Sequence, residues 1–196
     1  MESLYNFINE TAQLSKESFN LITPFLTKIN CKPNTILCKA GDEARYLYFI
    51  KSGIIRASVT SKKGKVFTRE LYCKNQICGP YSDIIQNGIS SYTFETLTDC
   101  EIIRSEHKET RKIHHDIPEY MHFKIKMLEY AYTKMERTII NLGTKDAKER
   151  YLHLLKRIEN IESLIPQYQI ASYLGITPIQ LSRIRKNLKE TNLQPA

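Results

Sequence analysis

Residues 170 to 184, Ile170-Ala171-Ser172-Tyr173-Leu174-Gly175-Ile176-Thr177-Pro178-Ile179-Gln180-Leu181-Ser182-Arg183-Ile184, constrain the fold more tightly than any other stretch. Two short helices that cross closely need a small residue at the crossing, and Ala171 supplies it. The turn between them needs a residue that tolerates positive φ, which Gly175 does. Leu181 and Ile184 are spaced to face back onto Ile170 and Leu174. The spacing predicts a helix-turn-helix. An ordinary αα-hairpin with a glycine turn would meet the same packing demands, but it would not need Ser182, Arg183, Arg185 and Lys186 on the outer face of its second helix. Those side chains suit the major groove of DNA.

The rest of the chain bounds this expectation. A length of 196 residues allows one large domain or two small ones. No apolar run reaches membrane length, and Met1-Glu2-Ser3-Leu4-Tyr5-Asn6 lacks the basic start and apolar stretch of a signal peptide, so a cytoplasmic protein is expected. Five cysteines, at 31, 38, 73, 78 and 100, are odd in number and widely spaced, which argues against a disulfide framework or a structural zinc site. The net charge of +8 suits a polyanionic partner, and residues 144 to 196 carry nine Lys or Arg against five Asp or Glu.

Periodicity divides the chain in three. Residues 4 to 29 read as one or two amphipathic helices interrupted at Pro24. From Lys32 to Ser105 short β-rich runs alternate with turn signals such as Lys32-Pro33-Asn34, Ser52-Gly53 and Lys62-Lys63-Gly64-Lys65, which implies an antiparallel barrel or roll. Asp116 and Pro118 then open a long helix that Gly143 ends. Along it Met121, Ile125, Leu128, Tyr132, Met135, Ile139 and Leu142 alternate spacings of four and three, the seam of a helix pair. A two-fold dimer through this seam is expected, and the alternative is a helix lying on its own β domain. Tyr120, Phe123, Met127, Tyr130 and Ala131 suggest that it also does some of the latter. The expected organisation is therefore an α+β chain with an N-terminal antiparallel β-roll over 1–115, a dimerisation helix and hinge over 116–143, and a helix-turn-helix domain over 144–196.

This order of parts resembles the Crp/Fnr family of bacterial transcription regulators. Gly41-Asp42 and Tyr48-Phe49-Ile50-Lys51-Ser52-Gly53-Ile54-Ile55-Arg56 are similar to the glycine-punctuated strands of the family's cyclic nucleotide-binding-like domain. Ile165 to Ala171 with Leu174 to Thr177 is similar to its DNA-binding module. The resemblance implies that Ser182 and Arg183 are the base-reading pair, and an Arg fork can bond guanine O6 and N7 together. Thr177 and Gln180 begin the same helix and are candidates for phosphate or bases. Gln167, Tyr168, Arg185 and Lys186 are candidates for backbone contacts. Where many relatives carry an acidic base-reading residue this chain has Ile179, so a different half-site is expected. Little follows Leu188, and a full β-hairpin wing after the recognition helix is not expected.

Relatives that bind a cyclic nucleotide hold its phosphate with a Gly-Glu turn, exposed amides and an Arg. The corresponding stretch here is Gly79-Pro80-Tyr81-Ser82-Asp83. Pro80 removes a donor, no Glu follows the glycine, and no Lys or Arg occurs from Asn75 through Ile103. Cyclic AMP and cyclic GMP are therefore not expected to bind. Phe49, Gly79, Tyr81, Ser82, Ile84, Tyr92 and Phe94 are the candidate effector pocket, for a neutral, cationic or apolar ligand or for none.

Other chemistries fit less well. An iron-sulfur cluster needs clustered thiolates. Haem would need His107, His114, His115 or His122, and a redox switch would use Cys73, Cys78 or Cys100. A metal-dependent cupin centre needs histidines on barrel strands, yet no His precedes His107. Neither catalysis nor a cofactor or metal is expected. The expected partners are a palindromic DNA duplex, a second copy of the chain, an effector that the residues leave unidentified, and RNA polymerase as a further candidate. No membrane is expected among them. A protein-interaction module on the same scaffold is the competing class.

Overall fold

The computed structural model describes residues 1–86, 88–112 and 116–192, without the side chains of 191 and 192. Helices α1 (Glu2–Ala12) and α2 (Lys16–Ile22) and one 3-10 turn (Thr23–Phe25) precede eight strands. These are β1 (Leu26–Cys31), β2 (Ile36–Cys38), β3 (Tyr46–Ser52), β4 (Ile55–Thr60), β5 (Val66–Tyr72), β6 (Gln76–Cys78), β7 (Thr93–Thr96) and β8 (Cys100–Glu106). A short helix α3 (Tyr81–Gln86) lies between β6 and β7, and α4 (His107–Lys112) follows β8. The long α5 (Pro118–Thr144) leads to α6 (Ala147–Arg157), α7 (Ile161–Leu164), α8 (Gln167–Leu174) and α9 (Pro178–Asn192).

The strands form two four-stranded antiparallel sheets, in the orders β1-β8-β3-β6 and β2-β7-β4-β5. Their inner faces meet through Tyr48, Ile50, Ile55, Ala57, Phe94 and Ile102, all buried. Alternation sends Phe49 and Ile103 to the opposite face, where Leu4, Ile8 and Phe19 of α1 and α2 and Tyr120 and Phe123 of α5 cover them. The sheet carrying β3 is thus buried on both sides. The expected helix over residues 4 to 29 ends earlier than its pattern suggested. Leu26 and Ile29 belong to β1 because register with Ser105 and Ile102 of β8 satisfies their backbone.

A third core joins α6, α8 and α9 through Tyr151, Leu154, Ile170, Leu174 and Leu181. It also takes in Ile54, Leu71 and Leu97 of the β-roll, so the helix-turn-helix packs on the strands. Two expected boundaries shift. Gly143 does not end α5, which continues to Thr144, and the break falls at Lys145, with φ −105° and ψ 137°. Asp116 does not cap α5, where Ile117 holds the N-cap position. Asp146 instead caps α6, accepting from the Glu149 amide while the Glu149 carboxylate accepts from the Asp146 amide.

Candidate functional site

The helix-turn-helix has the geometry its residues imply. Gly175 ends α8 at φ +70°, in the left-handed region where glycine carries no penalty. Ala171, Ile170 and Leu174 are buried beneath Leu181. The outer face of α9 exposes Thr177, Ile179, Gln180, Ser182, Arg183 and Lys186. Gln167 and Tyr168 are exposed at the start of α8, the Tyr168 hydroxyl accepting from Gln169 Nε2 at 3.2 Å.

Three of the expected DNA-contacting side chains, Arg185, Thr177 and Gln180, are occupied within the protein. Arg185 turns inward to pair with Glu162 at 2.6 Å, and Glu162 also accepts from the Tyr151 hydroxyl. This ties α9 to α7 and α6. Gln180 closes a capping box with Thr177: its backbone amide donates to Thr177 Oγ1 at 3.2 Å, and its side-chain oxygen accepts from the Thr177 amide at 2.9 Å. Lys186 is committed only to a long exposed pair with Glu190, at 3.7 Å.

The seam of α5 lies bare. Met121, Ile125, Leu128, Tyr132, Met135, Ile139 and Leu142 are each between 39% and 64% exposed in the single chain, whereas Tyr120 and Phe123 bury against the β-roll. Tyr130 and Ala131, expected to help pack α5 on the β domain, are exposed instead.

Between α5, α1 and the β-roll lies a cavity of about 1050 Å³. Of the candidate effector residues it brings together Phe49, Gly79, Tyr81, Ser82 and Tyr92. Phe94 is buried between the sheets, and neither it nor Ile84 lines the cavity. Gly79 is fixed by packing as well as by its φ of +144°, since a Cβ there would stand 2.8 Å from the Tyr46 carbonyl oxygen. Asp83 does not face the cavity either, and holds the Ser91 amide and hydroxyl at 2.9 Å each.

The charge of the cavity wall comes from outside the segment read for it. The segment from 75 to 103 supplies no cation, but Arg69, Lys74, Lys124, Lys126, Lys134 and Arg157 enter the wall from outside it, against a single acid, Glu70. Lys134 and Arg157 pair with Glu70 and Lys126 with Glu129, and the wall stays net positive. Arg56 pairs with Glu95 and Gln169 and does not line the cavity. Burial, with Arg111 nearby, lowers the Lys124 pKa to about 8. These cations come from α5 (Lys124, Lys126, Lys134), from β5 and the segment just after it (Arg69, Lys74) and from α6 (Arg157).

The remaining sensor chemistries gain little support. Burial raises the pKa of Cys73, Cys78 and Cys100, so none is poised as a thiolate, and all five cysteines are free. His107 is buried edge-on to Tyr81, His122 is exposed, and His114 and His115 lie outside the described residues. Among the described residues no metal-binding cluster occurs, and no helix is long and apolar enough to cross a membrane.

Residues 28–116 match the family of the cyclic nucleotide-binding domain. No curated protein matches the chain. Among solved structures, the c-di-GMP responsive global regulator CLP of Xanthomonas campestris superposes with a TM-score of 0.71 at 15% identity, covering 93% of this chain and 95% of that one. A putative transcriptional regulator of the Crp/Fnr family from Eubacterium rectale gives 0.71 at 18% identity, covering 97% and 91%. The chain has the Crp/Fnr fold. FixK2 from Bradyrhizobium japonicum shares it too, at a TM-score of 0.70 and 16% identity over 87% and 88% of the two chains. In this chain α5 borders both the bare seam and the cavity, and it leads through α6 and α7 to the helix-turn-helix.

Proposed function

We propose that the chain is a cytoplasmic, homodimeric transcription regulator that reads a palindromic DNA operator through α9 and carries no catalysis of its own. The observation that carries this reading is the outer face of α9, where Ser182, Arg183 and Lys186 stand exposed over a fully packed inner face. An Arg guanidinium presented in this way matches the donor geometry that guanine requires, and the adjacent lysine matches phosphate.

Three working parts follow: a sensory β-roll over 1–115, the dimer helix over 116–143 and the DNA-reading domain over 144–196. The exposed seam on α5 pairs with its symmetry mate and sets the spacing of the two recognition helices. The pivot is the extended Lys145, not Gly143. The signal is read at the cavity between the β-roll and α5, and its cationic wall favours an organic anion.

The test is selection from a pool of randomised duplexes. Enrichment of one palindrome, with half-sites about 10 base pairs apart centre to centre, is the expected result. Binding without enrichment of any sequence would reduce α9 to a sequence-blind basic helix, and no binding at all would leave the interaction-module reading.

A further inference from the structure

We infer that the β4–β5 hairpin makes a second DNA contact, its tip laying Lys62, Lys63 and Lys65 on the phosphate backbone beside the duplex read by α9. This rests on the reading of α9 as the recognition helix.

The tip is built and charged. Ser61 and Lys65 close it through an amide-to-carbonyl bond of 2.8 Å, the Gly64 amide reaches the Ser61 carbonyl at 2.9 Å, and the Lys65 amide reaches Ser61 Oγ at 3.1 Å. From Ala57 to Arg69 there is no acidic residue. All three lysines are exposed, and none of the ion pairs among the described residues involves them. Lys65 Nζ stands 5.0 Å above the Phe67 ring, which orients its stem.

What separates this tip from any solvated lysine loop is where the strands carry it. Arg56 of β4 bonds Gln169 of α8. Two positions nearer the tip, Ser58 is paired with Thr68, whose amide and hydroxyl both donate to Ser172 Oγ, at 3.1 and 2.9 Å. Ser172 lies almost one turn beyond Gln169, so α8 advances toward the hairpin tip as it approaches Gly175 and the start of α9. The tip extends about four residues past Thr68, roughly 13 Å at strand rise. The tip therefore points past the Gly175 end of α8, beyond which α9 begins. A duplex docked there carries one negative charge for about every 1.7 Å of its axis, and its flanking backbone falls within reach of the lysines.

The test compares the full chain with a Lys62→Gln, Lys63→Gln, Lys65→Gln variant, titrated against the selected palindrome and a scrambled duplex of equal length at several salt concentrations. The variant is expected to lose affinity for both duplexes by the same factor. Its dependence of log K on log salt becomes shallower by about 0.9 for each phosphate contact removed. Its thermal midpoint stays that of the parent. Equal slopes for parent and variant would overturn the inference while leaving α9 as the reader, and would point the tip toward an acidic protein surface instead. A parent chain that binds neither duplex fails at α9, and the hairpin contact falls with it.

Discussion

Glu70 Oε1 accepts a hydrogen bond from Arg157 Nη1 at 2.8 Å while its second oxygen meets Lys134 Nζ at 3.0 Å, so one carboxylate joins β5, α6 and α5. Arg157 adds a bond to the Leu71 carbonyl at 3.2 Å and lies over the Tyr173 ring. All three charged side chains are largely buried, and removing one member of such a set leaves charge without compensation. Glu70→Gln, which keeps the shape, is expected to destabilise the fold by about 3 kcal/mol. It should also loosen the helix-turn-helix from the strands, which limited proteolysis at Lys145 would report. Burial opposes ionisation of Glu70, but Arg157 and Lys134 outweigh it and hold the carboxyl below its usual range. This stability is therefore present at neutral pH and lost as pH falls through that lowered value. An unchanged denaturation midpoint for Glu70→Gln would dissolve the joint role.

On α9, three basic side chains should separate cleanly. Arg183→Ala is expected to cost roughly 1 to 3 kcal/mol of discrimination at one position of each half-site. Lys186→Ala should weaken all duplexes alike and flatten the salt dependence by about one unit. Arg185→Ala, which frees Glu162, should lower thermal stability and leave the salt slope alone. Titrations against cognate and scrambled DNA, with melting curves alongside, distinguish the three, and full selectivity in Arg183→Ala would remove it from the reading face.

Met135 occupies the middle of the bare seam and is 49% exposed in the single chain. Met135→Asp places a carboxylate opposite its own symmetry mate in a desolvated interface. Sedimentation should then find a monomer at micromolar concentration. A persisting dimer would mean that another face joins the copies.

His107 carries a pH dependence of opposite chemistry to Glu70 and the same sign. Burial first, then Lys124 and Arg111, lowers its pKa from 6.5 to about 4. The unfolded chain therefore takes up a proton before the folded one does, and stability should decline as pH falls from 6.5 toward 4. In His107→Phe the decline over that interval should shrink. An identical pH profile of chemical unfolding in both proteins would show that His107 is not its source.

The parts most legible in the residues were those that answer to a single local demand. Gly175 and Ala171 marked the turn and the crossing, and the three-four alternation from Met121 to Leu142 marked a face without a partner. Leu26 and Ile29 were misread because an apolar pair near a helix looks the same whether it continues the helix or starts a strand, and only pairing with β8 distinguishes them. The cavity's charge was hidden for a different reason: its cations come from β5, α5 and α6, segments brought together by the tertiary fold. The two capping boxes, Asp146 with Glu149 and Thr177 with Gln180, follow a Ser/Thr/Asp-x-x-Glu/Gln spacing, and the second occupies a Gln180 side chain expected to meet DNA.

The reciprocal bonds between Thr177 and Gln180 bear on how the chain would meet its operator. Pro178 sets the first helical φ, and both side chains already satisfy backbone amides that would otherwise wait for solvent or phosphate. Helix α9 is wound to its first residue in the chain alone, so on the proposed reading association with a duplex carries no coil-to-helix ordering cost at this end. The calorimetric signature of binding should then be that of two rigid surfaces losing water, with a modest heat-capacity change.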